Sequence, residues 1–120
     1  MKKIMKTSPV PKKEPVIDID LNSGDISRKA FELNNEHRSY DDYIWMLAES
    51  ETKLSKAILT DMKSHSRTIS VNASQIVDKP IEKDVRTRAA EIASARPKVQ
   101  DLHWLIAERQ YILDTARSRK

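Results

Sequence analysis

The chain contains no cysteine and only one glycine among its 120 residues. Without cysteine, disulfides and thiolate-ligated metal sites are excluded. Because Gly24 is the lone glycine, no glycine-rich loop is present to cradle a phosphate, and tight turns around a substrate are scarce. No apolar run approaches the roughly 18 residues that a membrane-spanning helix requires. These absences argue against a nucleotide-dependent enzyme and against a membrane protein.

Recognisable catalytic patterns are also missing. The three histidines are far apart in the sequence, and no His-Glu-x-x-His zinc pattern occurs. No serine has a histidine and an acid at motif spacing. The neighbouring carboxylates Asp41 and Asp42 are more typical of a solvated acidic helix face than of an acid–base pair. We therefore predict a protein that is not an enzyme and carries no metal or cofactor.

The N-terminal segment, residues 1–17, has a composition unlike the rest of the chain. It holds Pro9, Pro11 and Pro15 among five lysines, which predicts a flexible, extended arm. No apolar segment follows the basic start, so a signal peptide is not expected and the cytoplasm is the expected location. Residues 18–120 then form a single domain. At the boundary between the two, the residues from Ile17 to Leu21 alternate between apolar and polar, but the stretch is too short to predict a strand.

A repeat of core-type positions at steps of three and four residues extends from Ile26 to Met62. This spacing places side chains on one stripe of an α-helix and predicts a single helix of about 37 residues, roughly 55 Å long. Ser23 or Asp25 is the expected cap. The stripe comprises Ile26, Ala30, Leu33, His37, Tyr40, Ile44, Leu47, Glu51, Leu54 and Ile58.

Two polar members of the stripe, His37 and Glu51, are expected to fix helix alignment in a packed seam. A second apolar flank widens the stripe and indicates more than one partner helix, and hence self-association. The flank comprises Phe31, Trp45, Ala48, Ala57 and Met62.

Residues 65–79 read as a long loop in which Ile69, Val71, Ile76 and Val77 form a short extended piece. A second helix is expected to follow, with Asp78 as its cap and Pro80 in its first turn. Its apolar period carries across Pro97, which favours a kinked helix over one that ends and restarts there. The predicted fold is all-α: a long antiparallel helical hairpin with the second helix kinked near Pro97, and oligomeric.

The net charge is +4, and the basic residues are clustered. An antiparallel hairpin places the end of the first helix beside the start of the second, where cations would neutralise the phosphates of single-stranded nucleic acid. An ordinary soluble surface is the alternative reading. The candidate nucleic-acid-binding residues are Lys53, Lys56, Lys63, His65, Arg67, Lys83, Arg86 and Arg88.

A third basic group, Arg117, Arg119 and Lys120, is predicted at the opposite end of the hairpin, where the helix dipole favours cations. Its position would separate it from the candidate site. The aromatic residues Trp45, Trp104 and Tyr111 are predicted to be core.

Two parts of the sequence resemble UvsY-type recombination mediators of tailed phages. Residues 37–43, with Leu47, Glu51 and Leu54 after them, are similar to the first helix of that family, and Leu102-His103-Trp104 with residues 112–119 is similar to its last helix. The resemblance spans roughly residues 18–119. It implies a ring-forming protein that binds single-stranded DNA, remodels the single-strand-binding protein and loads a RecA-like recombinase in the host cytoplasm.

By position, the family's basic DNA-contacting segment corresponds to Lys53, Lys56, Lys63 and Arg67. Two other functions fit the sequence. One is a structural or assembly coiled-coil protein of a phage, and the other is a small helical adaptor or inhibitor that docks on a host protein.

Overall fold

The structure is a computed structural model and describes residues 16–59 and 68–118. It is mostly helical, but a small two-stranded sheet is also present, so the prediction of a purely α fold is wrong in that respect. The predicted arm falls largely outside the described residues. In chain order the elements are β1 (Val16–Asp20), α1 (Ser23–Glu36), α2 (Tyr40–Leu54), β2 (Thr68–Asn72), a 3₁₀ turn (Ala73–Gln75), α3 (Glu82–Ala95) and α4 (Val99–Ser118).

The predicted 37-residue helix is two helices separated by a turn. α1 ends at Glu36, and His37 adopts a left-handed backbone conformation with φ of 54°. Ser39 then caps α2, because its hydroxyl accepts a hydrogen bond of 3.1 Å from the Asp42 N–H. Asp42 in the first turn also favours the positive end of the helix dipole. The expectation of one helix from Ile26 to Met62 is therefore wrong.

Tyr43 holds the corner between α1 and α2. Its buried hydroxyl donates to the Leu33 carbonyl at 2.6 Å and accepts the Arg38 N–H at 3.1 Å. Both backbone groups belong to the region where helical hydrogen bonding stops, so the phenol supplies the partners that the helix end lacks. His37 lies exposed at this turn, and its predicted place in a packed seam is wrong.

The second predicted helix is also two helices. α3 ends at Ala95, Arg96 is left-handed with φ of 52°, and α4 begins at Val99. Because Pro97 disfavours helical angles in the residue before it, the chain leaves the helix and turns back instead of kinking. The start of α3 differs as well: Ile81 precedes the helix without a side-chain cap, and Asp78 lies outside it.

The direction of each helix follows from its contacts with α2. The Tyr40 hydroxyl donates to the Pro97 carbonyl at 2.5 Å, and the Val77 N–H donates to the Lys53 carbonyl at 3.0 Å, so α3 runs antiparallel to α2. At the other interface, Tyr43 contacts His103 near the start of α4 and Glu51 contacts Arg109 near its middle. α4 therefore runs parallel to α2, while α1 packs on α4.

The two strands pair antiparallel, with Ile19 opposite Ile69 and Ile17 opposite Val71. The alternation at Ile17–Leu21 is thus a strand: Ile19 is buried, whereas the side chains on the opposite face are exposed. On the other edge of β2, Ile58 forms an isolated bridge with Val71. Of the extended piece expected at Ile69, Val71, Ile76 and Val77, the first two residues belong to β2, whereas Ile76 and Val77 follow the 3₁₀ turn and lie outside the strand.

Two apolar clusters form the core. The first lies among the four helices and comprises Ile26, Leu33, Tyr43, Ile44, Leu47, Ala48, Val85, Ile92, Leu102, Ile106 and Ala107. The second joins the sheet to the ends of α2 and α4 and comprises Ile19, Leu54, Ala57, Ile69, Val71, Ile112, Leu113 and Ala116. None of the helices in the described ranges combines the length and apolar content needed to cross a membrane.

The aromatic residues divide between core and surface. Tyr111 packs partly buried against both apolar clusters, in line with its predicted core position. Trp45 and Trp104 remain 38% and 36% exposed, so their assignment to the core is wrong. Both lie on the helix faces turned away from the packed stripe, which a helical period alone does not distinguish when a helix has several neighbours.

Candidate nucleic-acid interface

One end of the molecule gathers the end of α2, the segment before α3 and the end of α4. The Val77 N–H donates to the Lys53 carbonyl at 3.0 Å, which joins the first two. Arg117 near the end of α4 contacts Asp78 at 3.5 Å. We call this region the basic end, because Lys53 lies in the last turn of α2 and Arg117 in the last turn of α4.

A groove of about 340 Å³ lies between α1, α2 and α4 near the basic end. Three of its lining side chains are cations, one from each helix: Lys29, Lys53 and Arg117. Two carboxylates, Glu49 and Asp114, and the neutral polar residues Ser50 and Gln110 also line it. Lys29 lies 3.6 Å from Asp114. The groove is therefore polar, and among the described residues that line it cations outnumber carboxylates by one.

The predicted lysines on α2, the turn after it and α3 are available for a ligand. Lys56 and Lys83 are exposed and Lys53 is partly exposed. None of the three forms an ion pair with another residue of the described ranges. Lys53 faces the groove toward α4 and α1, whereas Lys83 belongs to α3 on the other side of α2.

The two predicted arginines of α3 are already paired. Arg86 forms an ion pair with Glu82 one turn earlier. Arg88 contacts Glu51 at 2.6 Å and Glu91 at 3.0 Å. The hydrogen bond that Arg88 donates to Glu51 raises the pKa of Arg88, so its charge is fixed and already compensated. The remaining candidates, Lys63, His65 and Arg67, lie outside the described residues.

Glu51 is the centre of an ionic network that joins three helices. Its carboxylate bonds Arg88 of α3 through one oxygen and Arg109 of α4, at 3.1 Å, through the other. Arg109 also pairs with Glu108 beside it. Because the guanidinium groups of Arg88 and Arg109 both bind the Glu51 carboxylate of α2, this network holds three helices together. It contributes little free charge to a ligand.

Two cations of the groove, Lys29 and Arg117, are not among the residues predicted for the site. Lys29 was not considered for the site, and Arg117 was expected at the opposite end of the hairpin. That expectation is wrong because α4 turns back after Pro97 and ends beside the end of α2. Pro97 was the signal that pointed to this reversal. Arg119 and Lys120 lie outside the described residues.

His103 is a buried titratable group away from the groove. Its ring contacts that of Tyr43 in a T-shaped arrangement with centroids 4.6 Å apart. Its Nε2 has no hydrogen-bond partner among the described residues. Burial lowers the pKa of His103 from its ordinary value, since a charged ring would lose its hydration there.

The chain was compared with profiles of known protein families, with curated proteins and with solved structures, and no match was found in any of the three. The likeness to UvsY-type mediators thus stays a prediction from the sequence.

Proposed function

We propose that this protein binds single-stranded DNA without catalysing a reaction and acts as a recombination mediator. The observation that carries the proposal is the convergence of Lys53 and Arg117 on one groove, with Lys56 exposed in the turn that follows α2. Lysine and arginine side chains neutralise phosphates and release counterions, which drives binding that is independent of sequence. The groove is open and polar, which suits a flexible, charged strand better than a small apolar ligand.

The mediator role adds protein partners to DNA binding. By resemblance, these partners are a RecA-like recombinase and the single-strand-binding protein that the mediator displaces. Self-association is part of the proposed role, because several weak sites repeated around a homo-oligomer would produce avidity without a deep pocket. Exposed Phe31 and Trp45 are apolar surface that such an assembly would cover.

Titration of labelled oligo-dT at low salt tests the proposal. We expect binding whose affinity falls steeply with salt, with a slope of log K against log salt of about −0.7 for each phosphate contacted. A duplex of the same length is the control, and we expect it to bind more weakly. Absence of oligo-dT binding at low salt would reject the proposed function.

A second candidate is a structural or assembly protein, or a helical adaptor that docks on a host protein. Phe31 is 64% exposed and Ile81 is 67% exposed, and such side chains favour a protein partner. Size-exclusion chromatography with light scattering, with and without an oligonucleotide, separates the two functions. An oligomer whose mass does not change with DNA would favour the second.

A further inference from the structure

We propose that the groove between α1, α2 and α4 holds a phosphodiester group of single-stranded DNA, with Lys53 and Arg117 as its phosphate-binding side chains. Asp114 limits the affinity from the opposite wall. This inference rests on the proposed function and adds to it the chemical group that is bound and the residues that bind it. Of the predicted residues that the structure describes, Lys53 is the one that lines this groove.

Lys53 is the cation most ready to bind. Its backbone is fixed by the hydrogen bond from Val77 to its carbonyl. Its ammonium group has no ion-pair partner within the described residues, and the groove is its immediate surroundings. An ammonium group without a carboxylate partner can donate charge-assisted hydrogen bonds to a phosphate oxygen without first breaking an ion pair.

Arg117 is able to change partners. Its contact with Asp78 is long, at 3.5 Å, and the two side chains are 47% and 77% exposed. Such surface pairs are weak because water and salt screen them. A phosphate offers a guanidinium two oxygens at once, and this bidentate geometry is stronger than one long contact to a carboxylate.

Asp114 sets the charge balance of the groove. It lies 3.6 Å from Lys29, so it compensates one cation and repels an incoming phosphate. Ser50 and Gln110 add a hydroxyl and an amide that donate hydrogen bonds to phosphate oxygens. The groove therefore contains donors for an anion, and Asp114 is one of its two carboxylates, whose removal should improve binding.

The test compares variants at the groove with matched variants at the opposite end. Fluorescence anisotropy of labelled oligo-dT is measured for Lys53→Gln, Arg117→Gln and Lys98→Gln. Lys98 is an exposed lysine between α3 and α4, at the end of α2 that Tyr40 occupies. Each groove variant is expected to lose about fivefold in affinity near 0.1 M salt and about 0.7 in salt slope, because one phosphate contact is removed. Lys98→Gln is expected to lose much less.

A variant that is expected to gain affinity for oligo-dT tests the groove more sharply than the variants that are expected to lose it. Asp114→Asn removes the opposing carboxylate and releases Lys29, so it should tighten oligo-dT binding by several-fold. Asp101→Asn makes the same change in charge at the start of α4, at the far end from the groove, and should leave binding nearly unchanged. Circular dichroism checks that both variants fold, so this pair decides the question even if Lys53→Gln fails to fold.

The outcomes separate the groove from the proposed function. If wild-type protein binds oligo-dT but the groove and far-end variants change affinity equally, the groove assignment is overturned and DNA binding stands. If wild-type protein does not bind at all, both are overturned. Larger losses at Lys53 and Arg117 together with tightening at Asp114 support the groove.

Discussion

Glu51 of α2 and Arg109 of α4 form an ion pair of 3.1 Å in which both side chains are largely shielded from water, at 15% and 14% exposure. The other carboxylate oxygen of Glu51 bonds Arg88 of α3 at 2.6 Å. One carboxylate thus holds two helices against α2. Glu51 was expected to fix helix alignment as a polar residue in a packed seam. It lies where α2, α3 and α4 meet.

Replacing Glu51 should destabilise the protein strongly. Glu51→Gln weakens the bonds from both Arg88 and Arg109, and although Glu108 still pairs with Arg109, losing hydrogen bonds to a charged group costs about 1.5–3 kcal/mol. Urea unfolding followed by circular dichroism measures the loss. Glu91→Gln is the matched control: Glu91 also pairs with Arg88 but is exposed, so its loss should be below about 1 kcal/mol. Equal losses for the two variants would contradict the role of Glu51.

Tyr43→Phe should weaken the corner between α1 and α2. The change removes only the hydroxyl that bonds the Leu33 carbonyl and the Arg38 N–H, and leaving such groups unpaired costs about 1–3 kcal/mol. Tyr40→Phe removes a hydroxyl that bonds the Pro97 carbonyl where water has access. We expect the Tyr40 variant to lose less free energy of unfolding, and a larger loss at Tyr40 would contradict the account.

The stability of the fold should fall in mild acid because of His103. Its pKa in the folded protein is lowered, whereas in the unfolded chain it is about 6.5. Above the unfolded value both states are neutral and stability is complete. Below it the unfolded chain binds the proton first, so the free energy of unfolding falls as pH drops toward the folded pKa, by at most about 1.4 kcal/mol per pH unit.

His103→Leu removes this dependence. We expect wild-type protein to lose more free energy of unfolding than the variant when the pH is lowered from neutral to mildly acidic. Urea titrations at both pH values provide the comparison. Identical losses would show that His103 is not the group responsible.

The reversal of α4 after Pro97 can be measured as a distance. Because the chain has no cysteine, spin labels attached to two introduced cysteines report one distance within each chain. Labels at Lys56 and Ser118 should lie roughly 20 Å apart, about two helix diameters. An uninterrupted helix through Pro97 would separate them by about 50 Å. A second pair, Lys56 and Lys98, spans the length of α4 and should be clearly longer than the first.

The sequence pattern predicted much of the packing. Ile26, Leu33, Ile44, Leu47 and Leu54 are all buried, as their three-four spacing indicated. The pattern did not predict the turn at His37, because two helices that face one core carry the same apolar period as one long helix. The Ser39 cap with Asp42 three residues later was the local signal for a new helix start.

The groove could not be predicted from the sequence, for a related reason. Lys29, Lys53 and Arg117 belong to three helices, and only the directions of those helices bring them together. A hairpin with a kinked second helix places Arg117 far from Lys53. Arg88, by contrast, was predicted to be a free cation, although its partner Glu51 was noted as a polar residue in the apolar stripe. The two form an ion pair between helices, and local sequence spacing does not reveal such a pair.

The most direct test of the account is to find which end of the protein contacts DNA. Amide nitrogen–proton correlation spectra recorded during an oligo-dT titration report this residue by residue. We expect the signals of Lys53, Lys56 and Arg117 to shift, while those of Tyr40 and Lys98 at the opposite end stay in place. Shifts confined to Tyr40 and Lys98, or none at saturating oligo-dT, would contradict the account.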